Sequence, residues 1–185
     1  MREKVLGAAE LFAELGLDAT KMEDVAAATG VPKATLYYYF EGKEEILAFL
    51  FLHILDQLGR AVEGAYTSGG TAAVRLRAVV LAHLGVIAQY PAASRALQFD
   101  LGRAARSPLI AEQTDAAFVE PVRQLLAQGA RDGSLRPVKH PRLVATAILG
   151  AVTTTGLNAL TGDAHLPVSR VADELARFVM DGLAA

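Results

Sequence analysis

An all-α fold of nine helices in two domains follows from three observations on this 185-residue chain. Apolar residues recur at three- and four-residue spacings through almost its whole length. No segment alternates with the period of two that a half-buried strand requires, and Gly, Pro, Ser and Thr cut the pattern into pieces of helical length. At 52% apolar residues the chain also has the material for a sizeable core, unlike a disordered segment.

Taken in order, Arg2 to Leu15 reads as the first helix, with Val5, Ala9, Phe12 and Ala13 on one stripe and Gly16 ending it. Thr20 followed by Glu23 reads as a capping box that opens a second helix at Lys21, with Val25 and Ala28 turned inward. Thr29-Gly30 breaks that helix where a left-handed residue is least strained, and Pro32 suits the first turn of a third. Two short helices joined by a tight turn make a helix-turn-helix. On the later one Leu36 and Phe40 share a core-facing arc, while Lys33, Ala34, Tyr37 and Tyr38 spread over a separate arc that can enter a major groove. Tyr37, Tyr38 and Tyr39 cannot all point inward from one helix, so at least one is exposed beside Lys33.

Glu41-Gly42 is a bend, and Glu44 and Glu45 sit favourably at the positive end of a fourth helix that runs from Lys43 to about Tyr66. That helix is apolar almost all round, which fits an element shared by two cores. Thr67 to Thr71 is a loop without the GK[ST] ending of a phosphate-binding loop, and Thr71 can cap a fifth helix, Ala72 to Tyr90. Pro91 stops it and begins a sixth, to about Arg103; Ser107-Pro108 starts a seventh that ends at Asp132-Gly133. The last two run from Pro141 to Leu160 and from Pro167 to Leu183. Val168, Val171, Ala172, Leu175, Phe178, Val179 and Gly182 form a stripe on the ninth; Leu143, Ala147, Gly150, Ala151, Thr154 and Asn158 form one of mostly small residues on the eighth. Stripe geometry alone leaves both burial within one chain and pairing between two chains open.

The run Gly30-Val31-Pro32-Lys33-Ala34-Thr35-Leu36-Tyr37-Tyr38-Tyr39-Phe40-Glu41-Gly42-Lys43 resembles the DNA-binding signature of the TetR family of transcriptional repressors. Val5 to Gly16 also resembles that family's first helix, while the rest of the chain matches by architecture alone. Two departures stand out: Pro32 occupies a position where the family usually has Ser or Thr, leaving Val31 as a poor N-cap, and only Met1 to Lys4 precede the apolar pattern, too short for a basic arm.

The resemblance implies a nine-helix two-domain TetR-like architecture, with a helix-turn-helix DNA-binding domain at 1–45 and a helical effector-binding and dimerisation domain at 46–185. It implies a homodimer in which the last two helices pair with their symmetry mates, presenting two reading heads to double-stranded, pseudo-palindromic operator DNA. With the two arcs it gives Thr20, Lys21, Lys33, Ala34, Thr35, Tyr37, Tyr38, Tyr39 and Lys43 as DNA contacts. The expected function is a ligand-responsive repressor released by a small, mostly apolar effector.

Net charge of −2 gives no global nucleic-acid footprint, and residues 1–50 carry five basic against nine acidic side chains. Placement matters more than the count: Lys21, Lys33 and Lys43 fall at helix N-termini, where ammonium groups and free amides face phosphate together. The absence of cysteine excludes disulfides, thiolate metal sites and cysteine nucleophiles, and makes the cytoplasm the expected location. Leu143 to Gly162 is uncharged, yet its threonines and Asn158 favour a buried helix over a membrane span, so no membrane partner is expected.

A sensor is expected where polar groups interrupt apolar patterns, at His53, His83, Gln98, Asn158 and Thr153 to Thr155. The ligand-binding set read from this is Phe49, His53, His83, Tyr90, Phe99, Phe118, Thr154 and Asn158, and no Arg or Lys in the inner patterns offers an anion a countercharge. Enzymatic readings find little: His53, His83, His140 and His165 lack metal-ligand spacing, and G-x-S-x-G and G-x-G-x-x-G are absent. No catalytic residue, metal or cofactor is expected. The alternative is an enzyme or small-molecule carrier that uses a C-terminal helical cavity and retains the helix-turn-helix as a relic.

Overall fold

The computed structural model describes residues 2–100, 106–161 and 166–183, among which there are nine helices and no strand. We number them α1 (residues 2–19), α2 (Met22–Thr29), α3 (Lys33–Tyr39), α4 (Lys43–Tyr66), α5 (Ala72–Gln89), α6 (Pro91–Phe99), α7 (residues 108–132), α8 (Pro141–Thr161) and α9 (Val168–Asp181). The expected end of the sixth helix at Arg103, and His165, lie outside the described residues. The chain forms two compact units, one of residues 1–54 and 92–111, the other of 55–91 and 112–185. The boundary falls inside α4, a different partition from the functional division at residue 45.

In the first unit α1 is composite: an α turn (Arg2–Val5), a 3-10 turn (Leu6–Ala8) and Ala9–Ala19, which is kinked at Gly16. Gly16 has φ 70°, a left-handed value that glycine adopts without the Cβ clash of other residues. The kink turns the chain so that Leu17 is buried alongside Val5, Ala8 and Phe12. The capping box at Thr20 and Glu23 does not form. Thr20 is fully buried with its hydroxyl donating to Gly16 O at 2.7 Å, and α2 starts one residue later than expected, its Lys21 N–H donating to Asp24 Oδ2 at 3.0 Å. The later start rotates the inward stripe to Met22, Val25 and Thr29; Ala28, expected inside, is exposed. Thr29 tolerates burial because its hydroxyl donates to Val25 O at 2.7 Å. Gly30, left-handed at φ 63°, closes α2, and Pro32 serves as the N-cap of α3 rather than standing inside its first turn.

In the second unit α5 is the central helix, with α7, α8 and α9 packed on it. Its first turn is capped three times: Val74 N–H donates to Thr71 Oγ1, Ala72 N–H to Asp132 Oδ2 and Ala73 N–H to Ser134 Oγ. Leu76, Val79, Val80, Leu84 and Ile87 are buried around it. α8 approaches at Gly156, where a Cβ would lie 2.7 Å from Leu84 Cδ2 and 3.0 Å from Ile87 Cδ1, so a larger residue there would have to push those side-chain ends aside. α5 rather than α8 is, among the described residues, the helix long and apolar enough to cross a membrane. α7 contains a π-helical segment, Asp115–Val119, between Pro108–Thr114 and Glu120–Asp132. After it, Leu135 fills the notch left by Gly129, and Arg136 fastens the end of α9 through bonds to Leu183 O at 2.9 Å and Gly182 O at 2.8 Å.

Candidate nucleic-acid interface and effector site

The reading face is built by two anchors. Leu36 and Phe40 are buried, which forces the other side of α3 outward: Lys33, Ala34, Tyr37 and Tyr39 are exposed, Thr35 is half-buried, and Tyr38 is 81% exposed. Tyr38 meets Tyr39 edge-on with ring centroids 5.0 Å apart, so the two rings brace each other in solvent. Lys33 does not project freely. Its ammonium is ion-paired with Glu23 of α2 and lies 5.7 Å from the centroid of the Tyr37 ring. Each partner stabilises the other's charge, holding the Glu23 carboxyl below its usual range and Lys33 above its own.

The remaining expected DNA contacts divide. Lys21 is exposed at the start of α2. Lys43 donates from Nζ to Asp18 O at 3.0 Å and to Thr20 O at 2.8 Å, so it ties the end of α1 to the start of α4 and keeps one N–H for any other partner. Thr20 is corrected: its buried hydroxyl belongs to the core of the unit and presents nothing to a ligand.

Of the residues expected to form an effector site, the second unit brings two together. His83 on α5 and Phe118 in the π segment are buried with ring centroids 5.1 Å apart. His83 Nε2 lies 3.4 Å from Thr153 Oγ1 on α8, and its Nδ1 has no partner. Burial pushes the imidazole pKa down to about 4, so the ring is neutral near pH 7. Thr153 thus holds the place expected of Thr154. Thr154 and Asn158 are exposed on the outer side of α8, because the buried side of that helix is set by Ala145, Ile148, Val152 and Leu157. Tyr90 is half-buried at the end of α5. Phe49 and His53 belong to the first unit, where Phe49 packs on Phe40 at 5.8 Å; Phe99, in the same unit, is 75% exposed and lines no interior.

A polar chain in the second unit escapes the sequence reading. Tyr66 Oη donates to Gln124 Oε1 at 2.7 Å, Gln128 Nε2 donates to Tyr66 Oη at 3.0 Å, and Arg75 Nη2 donates to Gln128 Oε1 at 2.7 Å. Arg123 and Gln124 both donate to Glu120, holding its carboxyl down to about 2. The network borders an open groove of about 550 Å³ lined by Gly59, Glu63, Tyr66, Ala117, Glu120 and Gln124 among others. The signal was present as Gln124 and Gln128 four residues apart on one face of α7. No group of three metal-ligating side chains occurs among the described residues.

The last two helices differ in which face they leave open. On α8, Leu143, Ala147, Gly150, Thr154 and Asn158 are all exposed, so the small-residue stripe is an outer surface. On α9 the stripe is inner: Val171, Ala172, Leu175, Ala176 and Val179 are buried in the unit, while Phe178 is 70% exposed. Leu175 is therefore corrected from a pairing surface to a core position.

Two family models match the chain, "Bacterial regulatory proteins, tetR family" over residues 5–49 and "Tetracyclin repressor-like, C-terminal domain" over residues 69–183. The HTH-type transcriptional regulator RutR of Escherichia coli strain K12 is 27% identical over 147 residues, 77% of this chain and 68% of that protein. The HTH-type transcriptional repressor KstR2 of Rhodococcus jostii strain RHA1 is 27% identical over 180 residues, 96% of this chain and 88% of its own. Among solved structures, the ketosteroid transcriptional regulator KstR2 of Mycobacterium tuberculosis superposes with a TM-score of 0.82 at 25% identity, covering 100% of this chain and 95% of that one.

Proposed function

Because the chain belongs to the TetR family and is a ligand-responsive transcriptional regulator, we propose that it works as a homodimeric repressor, read onto its operator by α3 and released by a mostly apolar effector. The observation that carries the DNA-binding part is the outward face of α3, where Lys33, Ala34 and three tyrosines are held in solvent by the buried pair Leu36 and Phe40. The tyrosine hydroxyls there, and the Lys33 ammonium when it parts from Glu23, suit phosphate, and Ala34 with Tyr38 is nearest the bases. Lys21, Thr35 and the remaining N–H of Lys43 complete the proposed contact set. The exposed stripe of α8 with Phe178 of α9 supports pairing of two chains, and a two-fold dimer would present two reading heads to a pseudo-palindromic site.

The effector part rests on His83 and Phe118: two buried rings in contact, one with an unsatisfied nitrogen, suit a molecule with a large apolar body and a single hydrogen-bonding group that opens a place between them. A relative described as a ketosteroid regulator fits that chemistry. Work in the cytoplasm, where operator DNA lies, follows from this reading. The test is a mobility-shift titration with the DNA upstream of the protein's own gene, with Tyr38→Ala alongside. Binding by the native chain and at least a ten-fold loss in the variant are expected, at about 1.4 kcal/mol per ten-fold. Equal binding by Tyr38→Ala would remove α3 from the interface.

A further inference from the structure

The reading unit is acidic where a DNA-binding surface is ordinarily basic: residues 1–50 carry nine acidic against five basic side chains. Phosphate attraction supplies most of the affinity that a protein has for DNA of any sequence, and it scales with the number of phosphates neutralised. In this chain the cation at the head of α3 is already neutralised from within. Lys33 is paired with Glu23, and both side chains are well exposed on the side of the unit where α3 presents its tyrosines. Neither end of this pair is needed for the fold: the turn is secured by Thr29, Gly30 and Asp24, and the core by Val25, Leu36 and Phe40.

We infer that Glu23 sets the DNA affinity of this regulator by occupying Lys33, so that sequence-independent attraction to phosphate stays low and base contacts from α3 decide where the protein rests. The inference rests on the DNA-binding reading above. While Glu23 holds the ammonium, Lys33 adds little to counterion release. Freed from Glu23, it becomes one more phosphate contact, made equally with any duplex.

The experiment compares native protein, Glu23→Gln, Lys33→Gln and the double variant, by fluorescence anisotropy with two labelled duplexes, one from the region upstream of the protein's own gene and one of mixed sequence. Each is titrated at about 50 and about 200 mM salt. Glu23→Gln should bind both duplexes more tightly, and its salt slope should steepen by about 0.9, which widens its affinity ratio between the two salts about 3.5-fold beyond that of the native chain. In the Lys33→Gln background the same substitution should leave the slope unchanged. Weaker binding by Glu23→Gln would overturn the inference, since Glu23 would then be positioning Lys33 on phosphate. An equal gain in both backgrounds would also overturn it, because Glu23 would be acting by general repulsion. A native chain that binds neither duplex at either salt would instead overturn the DNA-binding reading, and this inference with it.

Discussion

His83 shows how much one side chain can bias a regulator. Its ring is buried, its pKa lies at about 4 instead of 6.5, and its Nδ1 is unpartnered. A base with a depressed folded pKa binds fewer protons folded than unfolded, so its contribution is complete above pH 6.5 and is lost as pH falls toward 4. The loss should reach roughly 3 kcal/mol below that point, seen as a fall in urea midpoint between about pH 7 and pH 4. His83→Leu should flatten that limb; an unchanged limb would assign it to the carboxylates. Residue by residue, the sequence exposed what period and sterics dictate: the Leu36 and Phe40 arc, the left-handed Gly30, the outward tyrosines. It did not expose Thr20 or Lys43, because both are satisfied by carbonyls in or just after the last turn of α1, and those bonds depend on how Gly16 turns the chain.

Helices were legible as units, and their faces only half so. A stripe on α9 says that one face is buried, and the packing on α5 decides that it is buried inside the chain. The small residues of α8 look as apolar in sequence, yet they face out because Ala145, Ile148 and Val152 already turn the opposite face inward. The two helices should therefore respond differently to the same substitution. Leu175→Glu buries an unpaired charge and should cost about 3–5 kcal/mol, giving a chain that melts early or does not fold. Ala147→Glu should keep the helical circular dichroism and yield a monomer by light scattering. A folded dimer carrying Ala147→Glu would place the contact between chains elsewhere.

For the molecule as a whole, the motif-bearing first part was readable as a reading head, and the remainder only as apolar helices, since a cavity or a pairing face is made by several elements at once. Phe49, His53 and Phe99 illustrate this: their patterns matched those of His83 and Phe118, but they belong to the other compact unit. If effector and operator oppose each other, each must weaken the other by one shared free energy, typically about 1–3 kcal/mol. A thermal-shift screen of apolar against polyanionic molecules should find apolar hits that also release DNA, with Phe118→Ala losing both effects. Stabilisation by polyanions alone would move the sensor away from His83 and Phe118. The π segment at Asp115–Val119 bears on chain length, a matter of a different kind. Its wide turn takes up one residue more than an α turn, so deleting one residue there would let the helix close into unbroken α structure while the 13 residues of Glu120–Asp132 keep the face they turn to the core. Val122, Leu125 and Leu126 would stay buried together. Descent in this lineage can drop a letter from that segment and keep the word.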